Sequence, residues 1–261
     1  MNDIKVSIIL PAYNEEYRLP DCVFSVREFM RRQPYTWEAI IVENRSDDDT
    51  RAIAESIAAT HREFSAMTSA PGKGAAVLAG MLAARGEYRY MCDVDLSTPI
   101  SHLPRFLAAC DEQNPIVIGS READDAQRVD EPELRNSMGR IFNILLQMML
   151  PYDLPSDTQC GFKMFRVDAA LDLFHRQTLS GFAFDVEILY LARRLGYPIF
   201  ELGVPWFYND DSKVDALGRW KTAWRMFRDV RKIPALARLG VYGDLSQRSE
   251  TALPVSTELN A

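Results

Sequence analysis

Val6-Ser-Ile-Ile-Leu10 is a run of mainly β-branched and aliphatic residues that Pro11 ends, which predicts a buried strand. From Asp21 to Arg32 the apolar residues return at helical spacing. Ala39-Ile-Ile-Val42 predicts a second buried strand, and an alanine-rich helix is expected from Thr50 to about Ala59. The chain therefore opens with two units of strand, loop and helix in succession.

The alternation continues to about residue 121. A helix is predicted from Gly72 to about Ala84, a strand from Tyr88 to Cys92, a helix starting near Ser101, and a strand over Pro115-Ile-Val-Ile-Gly119. Short apolar strands that alternate with amphipathic helices are typical of a mostly parallel sheet with helices on both faces. The sequence therefore predicts an α/β, Rossmann-like fold.

Polar clusters directly follow four of the predicted strands, at residues 11–16, 43–47, 93–97 and 119–121. Ligands of open parallel sheets bind beyond the carboxyl ends of the strands. We therefore expect one crevice that all four clusters line.

The composition excludes several classes of protein. With 30 Lys and Arg against 37 Asp and Glu the net charge is −7, so we expect no nucleic-acid partner. The four cysteines are widely separated and the chain has 3 histidines, which predicts neither a zinc site nor a disulfide framework. The apolar run at the N-terminus is too short for a secretion signal. We therefore expect a cytoplasmic protein with reduced thiols.

Asp93-Val94-Asp95 is the first candidate for chemistry, because it places two carboxylates at the end of a predicted strand. Two neighbouring carboxylates repel each other unless a cation or a hydrogen-bond donor satisfies them. Mg²⁺ or Mn²⁺ commonly binds one or two carboxylates together with phosphate oxygens of a substrate. A solvated turn at a strand end has the same sequence pattern, so the triplet alone leaves both interpretations open.

A set of motifs in a fixed order resembles glycosyltransferase family 2, whose members have the GT-A fold. The motifs are Ile9-Leu-Pro-Ala-Tyr-Asn-Glu-Glu16, Ile41-Val-Glu-Asn-Arg-Ser-Asp-Asp-Asp-Thr50, Pro71-Gly-Lys-Gly74 with Gly80, Asp93-Val-Asp-Leu-Ser97, Gly119-Ser-Arg121 and Asp157-Thr-Gln-Cys-Gly-Phe-Lys163. The last motif, with Gly181-Phe-Ala-Phe-Asp-Val-Glu187 and Ser212-Lys-Val214, resembles the subgroup of dolichyl-phosphate or polyprenyl-phosphate β-glucosyltransferases.

The resemblance implies a nucleotide-sugar site, with UDP-sugar as the donor and Mg²⁺ or Mn²⁺ held by Asp95 and Asp93. It assigns the base and ribose to the loop after the first strand, the uracil edge to Glu43 or Asn44, and the diphosphate to the Gly72-Lys73-Gly74 turn. Many relatives have glycine where this chain has Arg45. The implied donor-binding residues are Pro11, Ala12, Tyr13, Glu15, Glu43, Asn44, Lys73, Asp93 and Val94.

The resemblance also implies an acceptor site for a lipid phosphate, because arginine grips phosphate oxygens with two parallel N–H groups. The acceptor-binding residues that it implies are Arg121, Arg135, Arg140, Gln159 and Lys213. The remaining carboxylates are Asp157, Asp185 and Glu187, of which we expect Asp185 to lie nearest the reacting centre, with Asp95 and Arg121 as its catalytic partners. Pairing of these carboxylates with local arginines or backbone N–H groups is the alternative.

The chain after residue 121 departs from the regular alternation. We predict a nucleotide-sugar-binding half (residues 1–121), an acceptor-binding half (122–212) that begins with a mobile acidic loop at Glu122 to Glu133, a basic amphipathic helical segment (213–244) and a disordered tail (245–261). Met138 to Leu150 is apolar on nearly every side, and fits a lipid-facing helix, a buried helix or a homodimer contact equally.

Trp220, Trp224 and Phe227 recur at i, i+4 and i+7 beside a stripe of lysines and arginines. This pattern is typical of a helix in a membrane interface, although an aromatic stripe packed on the catalytic domain would have the same spacing. The first hypothesis is therefore an inverting hexosyltransferase that uses a UDP-sugar and a polyprenyl phosphate at the inner face of a membrane. Transfer to the hydroxyl of a soluble acceptor, and nucleotide-sugar binding without catalysis, remain the alternatives.

Overall fold

The computed structural model describes residues 4–129, 145, 148–150, 153–207, 216–246 and 248, and only the backbone of 216–220. The strands are β1 (Val6–Ala12), β2 (Trp37–Glu43), β3 (Phe64–Thr68), β4 (Tyr88–Cys92), β5 (Ile116–Ser120), β6 (Gln127–Val129), β7 (Phe162–Arg166), β8 (Ile199–Gly203) and β9 (Pro205–Phe207). The α-helices are α1 (Leu19–Met30), α2 (Thr50–Thr60), α3 (Lys73–Ala83), α4 (Leu103–Ala109), α5 (Val167–Arg176), α6 (Phe184–Arg194), α7 (Ala216–Val230) and α8 (Ile233–Arg238).

Seven strands form the central sheet in the order β3-β2-β1-β4-β7-β5-β8. Neighbouring strands are parallel except at β7, which runs antiparallel to both β4 and β5. The prediction of a mostly parallel sheet is confirmed. The carboxyl ends of β1, β2, β4 and β5 meet at one edge of this sheet, and β7 begins at that same edge because it runs in the opposite direction.

Alternation along the strands divides the interior into two cores, one on each face of the sheet. In β1, Ile9 packs with α3, α5 and α6, whereas Ile8 and Leu10 pack with α1 and α4 on the other face. In β2, Ile40 and Ile41 divide in the same way. Both faces of the sheet are therefore covered, as the alternation of strands and helices predicted.

Helix α3 lies unusually close to the sheet. A β-carbon at Gly80 would stand 2.5 Å from Cγ2 of Ile9 and 2.9 Å from Cγ2 of Val42, which leaves no room for a larger residue. This close approach fixes the beginning of α3, with Lys73 as its first residue, beside the carboxyl edge of the sheet.

Two described parts of the chain after residue 121 are more ordered than we predicted. The acidic segment was expected to be a mobile loop, but residues 127–129 form β6, which pairs in parallel with β9. Further on, Leu245 is buried in the core and the guanidinium of Arg248 lies 4.1 Å from the centre of the Tyr197 ring, so the chain stays packed past residue 244. In the described ranges no helix has both the length and the apolar character that crossing a bilayer requires.

Candidate active site

Three loops at the carboxyl edge of the sheet each contain a residue in the left-handed conformation. These residues are Asn14 after β1 (φ 54°), Arg45 after β2 (φ 54°) and Leu96 after β4 (φ 47°). Left-handed backbone is unfavourable for a residue with a β-carbon, which explains why glycine suits the position of Arg45.

The loops after β1 and β2 are joined by hydrogen bonds. The Asn14 N–H donates to Oγ of Ser46 at 3.0 Å, and the Asp47 N–H donates to Oδ1 of Asn14 at 2.8 Å. The Glu15 carboxylate forms a double hydrogen bond with Arg18 (2.6 and 2.9 Å). The two contacts of Asn14 hold the two predicted nucleotide-binding loops together as one surface.

Glu43 and Asn44 are buried, and their side-chain oxygens support neighbouring loops. Glu43 accepts hydrogen bonds from the Ser46 N–H and from Oγ1 of Thr68, and Asn44 accepts one from the Gly72 N–H at 2.9 Å. Among the other predicted donor-binding residues, Ala12 and Val94 are buried, Pro11 is partly exposed, and Tyr13 exposes 52% of its surface. Tyr13 is thus the aromatic residue of this set, and its ring is open to solvent.

Lys73 and Asp93 form an ion pair at the centre of the edge. The Lys73 ammonium lies 2.7 Å from Oδ1 and 2.9 Å from Oδ2 of Asp93. Burial would lower the pKa of Lys73, but the carboxylates of Asp93, Asp185 and Asp95 outweigh burial and raise that pKa above its usual value. Lys73 is therefore a fixed cation, and it balances part of the negative charge at this edge.

Asp95 is exposed, and its Oδ1 accepts a hydrogen bond from the Ser97 N–H at 2.9 Å. Surrounding protein atoms nevertheless desolvate its carboxyl group, and this desolvation together with the neighbouring Asp93 raises the pKa of Asp95. Within the described residues no group of three or more His, Cys, Asp or Glu side chains is placed to hold a metal ion. Two carboxylates at a strand end fit Mg²⁺ or Mn²⁺ whose other ligands come from phosphate and water, and do not fit a metal held by protein ligands alone.

A second ion pair, which the sequence did not indicate, lies beneath the first. Lys163 of β7 is buried, and its ammonium contacts Oδ1 of Asp185 at 2.7 Å and the carbonyl oxygen of Cys160 at 2.5 Å. Burial raises the pKa of Asp185, although Lys163 and Lys73 act in the opposite direction. The predicted catalytic carboxylate therefore lies close enough to affect Lys73, but it is 5% exposed and paired.

Arg121 follows β5 and is held by the buried Asp157. Its Nε and Nη2 donate to the two oxygens of that carboxylate at 2.7 and 2.8 Å, its backbone N–H donates to Oδ2 at 2.9 Å, and its guanidinium lies 5.4 Å from the Trp206 ring centre. Burial would raise the pKa of Asp157, but Arg121 lowers it to about 2. The edge of the guanidinium that was expected to grip a phosphate thus binds Asp157.

The other predicted acceptor-binding residues are less closely defined. The side-chain amide of Gln159 lies 2.8 Å from the sulfur of Met226 in α7, which brings that helix beside the 157–163 motif. Arg135, Arg140 and Lys213 lie outside the described residues.

The sheet order, with one antiparallel strand inserted and an acidic pair after β4, defines the GT-A class of fold. Solved structures of that class match it. Glucosyl-3-phosphoglycerate synthase from Mycobacterium tuberculosis, in complex with Mn²⁺, UDP and phosphoglyceric acid, has a TM-score of 0.66 over 91% of this chain and 79% of its own, at 19% identity. Mannosyl-3-phosphoglycerate synthase from Rubrobacter xylanophilus has a TM-score of 0.62 over 96% and 79%, at 18% identity.

The chain belongs to glycosyl transferase family 2, whose family model matches residues 7–174. The dolichyl-phosphate beta-glucosyltransferase of Dictyostelium discoideum is 32% identical over 257 residues, covering 93% of this chain and 77% of the relative. The protein of the same name from Homo sapiens is 28% identical over 232 residues, covering 83% and 71%. The family resemblance predicted from the motifs is confirmed.

Proposed function

We propose that this glycosyltransferase moves glucose from UDP-glucose to a polyprenyl phosphate of the dolichyl type. Relatives that are named for this reaction match the chain over most of its length. The main support for UDP-glucose as the donor is that Asp93, Asp95 and Lys73 lie together at one edge of the sheet.

The donor diphosphate binds at the start of α3 and beside the acidic pair. Backbone N–H groups at a helix N-terminus attract anions, and Lys73 adds a full positive charge there. Asp95, with Asp93, holds Mg²⁺ or Mn²⁺. When bound, such a metal neutralises the negative charge that develops on a departing nucleoside diphosphate. Tyr13 and the joined loops after β1 and β2 bind the uridine.

The acceptor phosphate needs no general base, because a phosphate monoester is already ionised at neutral pH. Its oxygen attacks the anomeric carbon opposite the leaving diphosphate, which inverts that centre. Arg121 supplies positive charge in an orientation that Asp157 and Trp206 fix. Gln159, Arg135, Arg140 and Lys213 complete the acceptor site in this proposal, and Asp185 holds Lys163 and supports the charge of Lys73 rather than moving a proton.

Helix α7 supplies a peripheral contact with the membrane that contains the acceptor. Trp224 is 68% exposed and stacks on Phe227 with ring centres 6.1 Å apart, whereas Met226 and Val230 face the core. Lys221, Arg225 and Arg228 are exposed on the same helix. An exposed Trp224, stacked on a partly exposed Phe227 among basic side chains, fits the interface of an anionic bilayer.

The donor half is tested by Asp95→Asn. Purified protein with Mn²⁺, UDP-[¹⁴C]glucose and a short polyprenyl phosphate is expected to form labelled lipid, and the variant is expected to lose at least about 10²-fold of that rate. Glu112→Gln removes an exposed carboxylate before β5, at the opposite edge of the sheet, and serves as the matched control. Equal rates for Asp95→Asn and the control would refute the assignment of Asp95.

The membrane contact is tested by flotation with vesicles of phosphatidylcholine and phosphatidylserine. Trp224→Ser is expected to reduce co-flotation, whereas Phe24→Ser removes an aromatic of equal exposure (68%) on α1 and is expected to leave it unchanged. Equal flotation of both variants would exclude α7 as the contact. If the transfer assay labels a soluble hydroxyl compound and no polyprenyl phosphate, the proposed lipid acceptor is wrong and the acceptor is a soluble hydroxyl compound.

A further inference from the structure

Glu187 of α6 is a fully buried carboxylate whose contacts lie away from the acidic pair. It accepts hydrogen bonds from the Thr178 N–H (3.2 and 3.1 Å), from Oγ1 of Thr178 (2.5 Å), from the Leu179 N–H (2.9 Å) and from the hydroxyl of Tyr242 (2.9 Å). Two separate segments of the chain, one before α6 and one after α8, therefore meet at a single carboxylate.

The first of these segments, residues 177–181, packs directly against the turn that starts α3. The Ala75 N–H donates to the carbonyl oxygen of Ser180 at 3.1 Å, and Nε2 of Gln177 donates to the carbonyl oxygen of Gly74 at 2.9 Å. A β-carbon at Gly72 would stand 2.1 Å from the Ser180 carbonyl oxygen. The position of the Gly72-Lys73-Gly74 turn thus depends on where residues 177–181 lie.

The second segment continues from α8. Tyr242 is buried, and Nη1 of Arg176 donates to the carbonyl oxygens of Tyr242 and Asp244, each at 2.8 Å. Tyr242 also belongs to the same apolar core as Val230 and Ile233 of the C-terminal helices. The Tyr242 hydroxyl is therefore held at Glu187 by the packing of the whole C-terminal segment.

We propose that Glu187 and Tyr242 are positioning residues for the donor diphosphate, which hold residues 177–181 against the start of α3. The proposal rests on the proposed function, since it takes that turn as the diphosphate site. Glu187 touches neither donor nor acceptor. It acts by fixing two backbone N–H groups and one hydroxyl of residues 178–179, which in turn fix the amides and the ammonium that face the diphosphate.

Tyr242→Phe removes one hydrogen bond to Glu187 and keeps the ring, and Tyr197→Phe is the matched control. Tyr197 is equally buried, but its hydroxyl donates to the buried carboxylate of Asp172 at 3.0 Å and not to Glu187. Binding of UDP with Mn²⁺ is measured by calorimetry, with donor and acceptor KM from the transfer assay. We expect Tyr242→Phe to weaken UDP binding and raise the donor KM by about fivefold, and Tyr197→Phe to change neither.

Thr178→Val and Thr178→Ser form a second pair that keeps Tyr242 intact. Valine removes the hydroxyl that donates to Glu187 and is expected to weaken UDP binding, whereas serine retains the hydroxyl and is expected to restore it. The acceptor KM should stay constant in every variant. Unchanged UDP binding in both Tyr242→Phe and Thr178→Val, or an equal loss in Tyr197→Phe, would overturn the positioning role. Absence of UDP binding by the wild-type protein would instead overturn the proposed function together with this inference.

Discussion

Gly161 lies so close to Asp93 that a β-carbon at residue 161 would stand 1.9 Å from Oδ2 of that carboxylate. Gly161 belongs to the 157–163 motif, which follows the acidic pair by more than sixty residues in the sequence. The antiparallel direction of β7 brings them together, since Phe162 pairs with Cys92 at the edge of the sheet.

Gly161→Ala is therefore expected to displace the Asp93 carboxylate from Lys73. The transfer rate should fall by about 10²-fold, because a shift of about 1 Å in a charged group is enough for such a loss. Overpacking should also cost about 1–3 kcal/mol of unfolding free energy. Gly203→Ala is the control: its β-carbon would meet the Asp125 carboxylate at 1.8 Å, but that side chain is exposed and pairs with Arg105 rather than with Lys73. A rate as low in the control as in Gly161→Ala would attribute the loss to general disruption.

Asp157 should make the protein sensitive to acid. Its pKa of about 2 lies below the ordinary value of 3.8, so ionised Asp157 stabilises the folded state by about 2 kcal/mol. That contribution is complete above pH 3.8 and is lost as the pH falls through about 2. Urea titrations between pH 2 and 7 should show Asp157→Asn less stable at neutral pH, with a smaller loss on acidification. An unchanged acid slope in the variant would contradict the assignment.

Lys163 and Asp185 should be strongly coupled, because both are buried. Lys163→Met is expected to cost about 3–5 kcal/mol, since it leaves an unpaired carboxylate in the interior. Lys163→Met with Asp185→Leu should recover much of that loss. Lys5→Met breaks the half-exposed pair with Glu87 and should cost less than about 1 kcal/mol. Chemical denaturation of the wild type, Lys163→Met, Asp185→Leu and the double variant measures the coupling, and additive losses in the double variant would show that the pair does not interact.

Arg45→Gly should stabilise the protein by about 0.5–1 kcal/mol, because glycine adopts the left-handed backbone at φ 54° without steric cost. Arg51→Gly, at an exposed position in the first turn of α2, should instead destabilise it, by up to about 1 kcal/mol. Thermal unfolding of the two variants should therefore shift in opposite directions. A shift of the same sign in both would mean that the backbone at residue 45 is not strained.

Strands with a run of β-branched, aliphatic or aromatic residues could be predicted from sequence, and β1, β2, β4 and β5 lie close to their expected bounds. β3 was not predicted, because Phe64-Ser-Ala-Met-Thr68 is a short edge strand with partly exposed side chains and has no continuous apolar run. β7 was not predicted, because it contains Lys163. A charged residue is unexpected in a buried strand unless a partner of opposite charge is known, and here that partner is Asp185.

The candidate site was predictable as a set of motifs, because each motif follows its own strand. The partners within it were not predictable, since Arg121 and Asp157 lie 36 positions apart and nothing local in the chain links them. Glu187 was a candidate for chemistry by residue type alone, and its burial among backbone donors became visible only in three dimensions.

The position of the antiparallel strand β7 also determines when the central sheet can be completed during synthesis. When a ribosome has released the first 121 residues, β5 exists but neither of its sheet neighbours, β7 and β8, has been made. β5 then presents two unpaired edges of Ile116-Val-Ile118, a segment prone to pair with other nascent chains. We expect truncation near residue 121 to yield aggregate, and the newly made chain to need shielding until β7 and β8 are released.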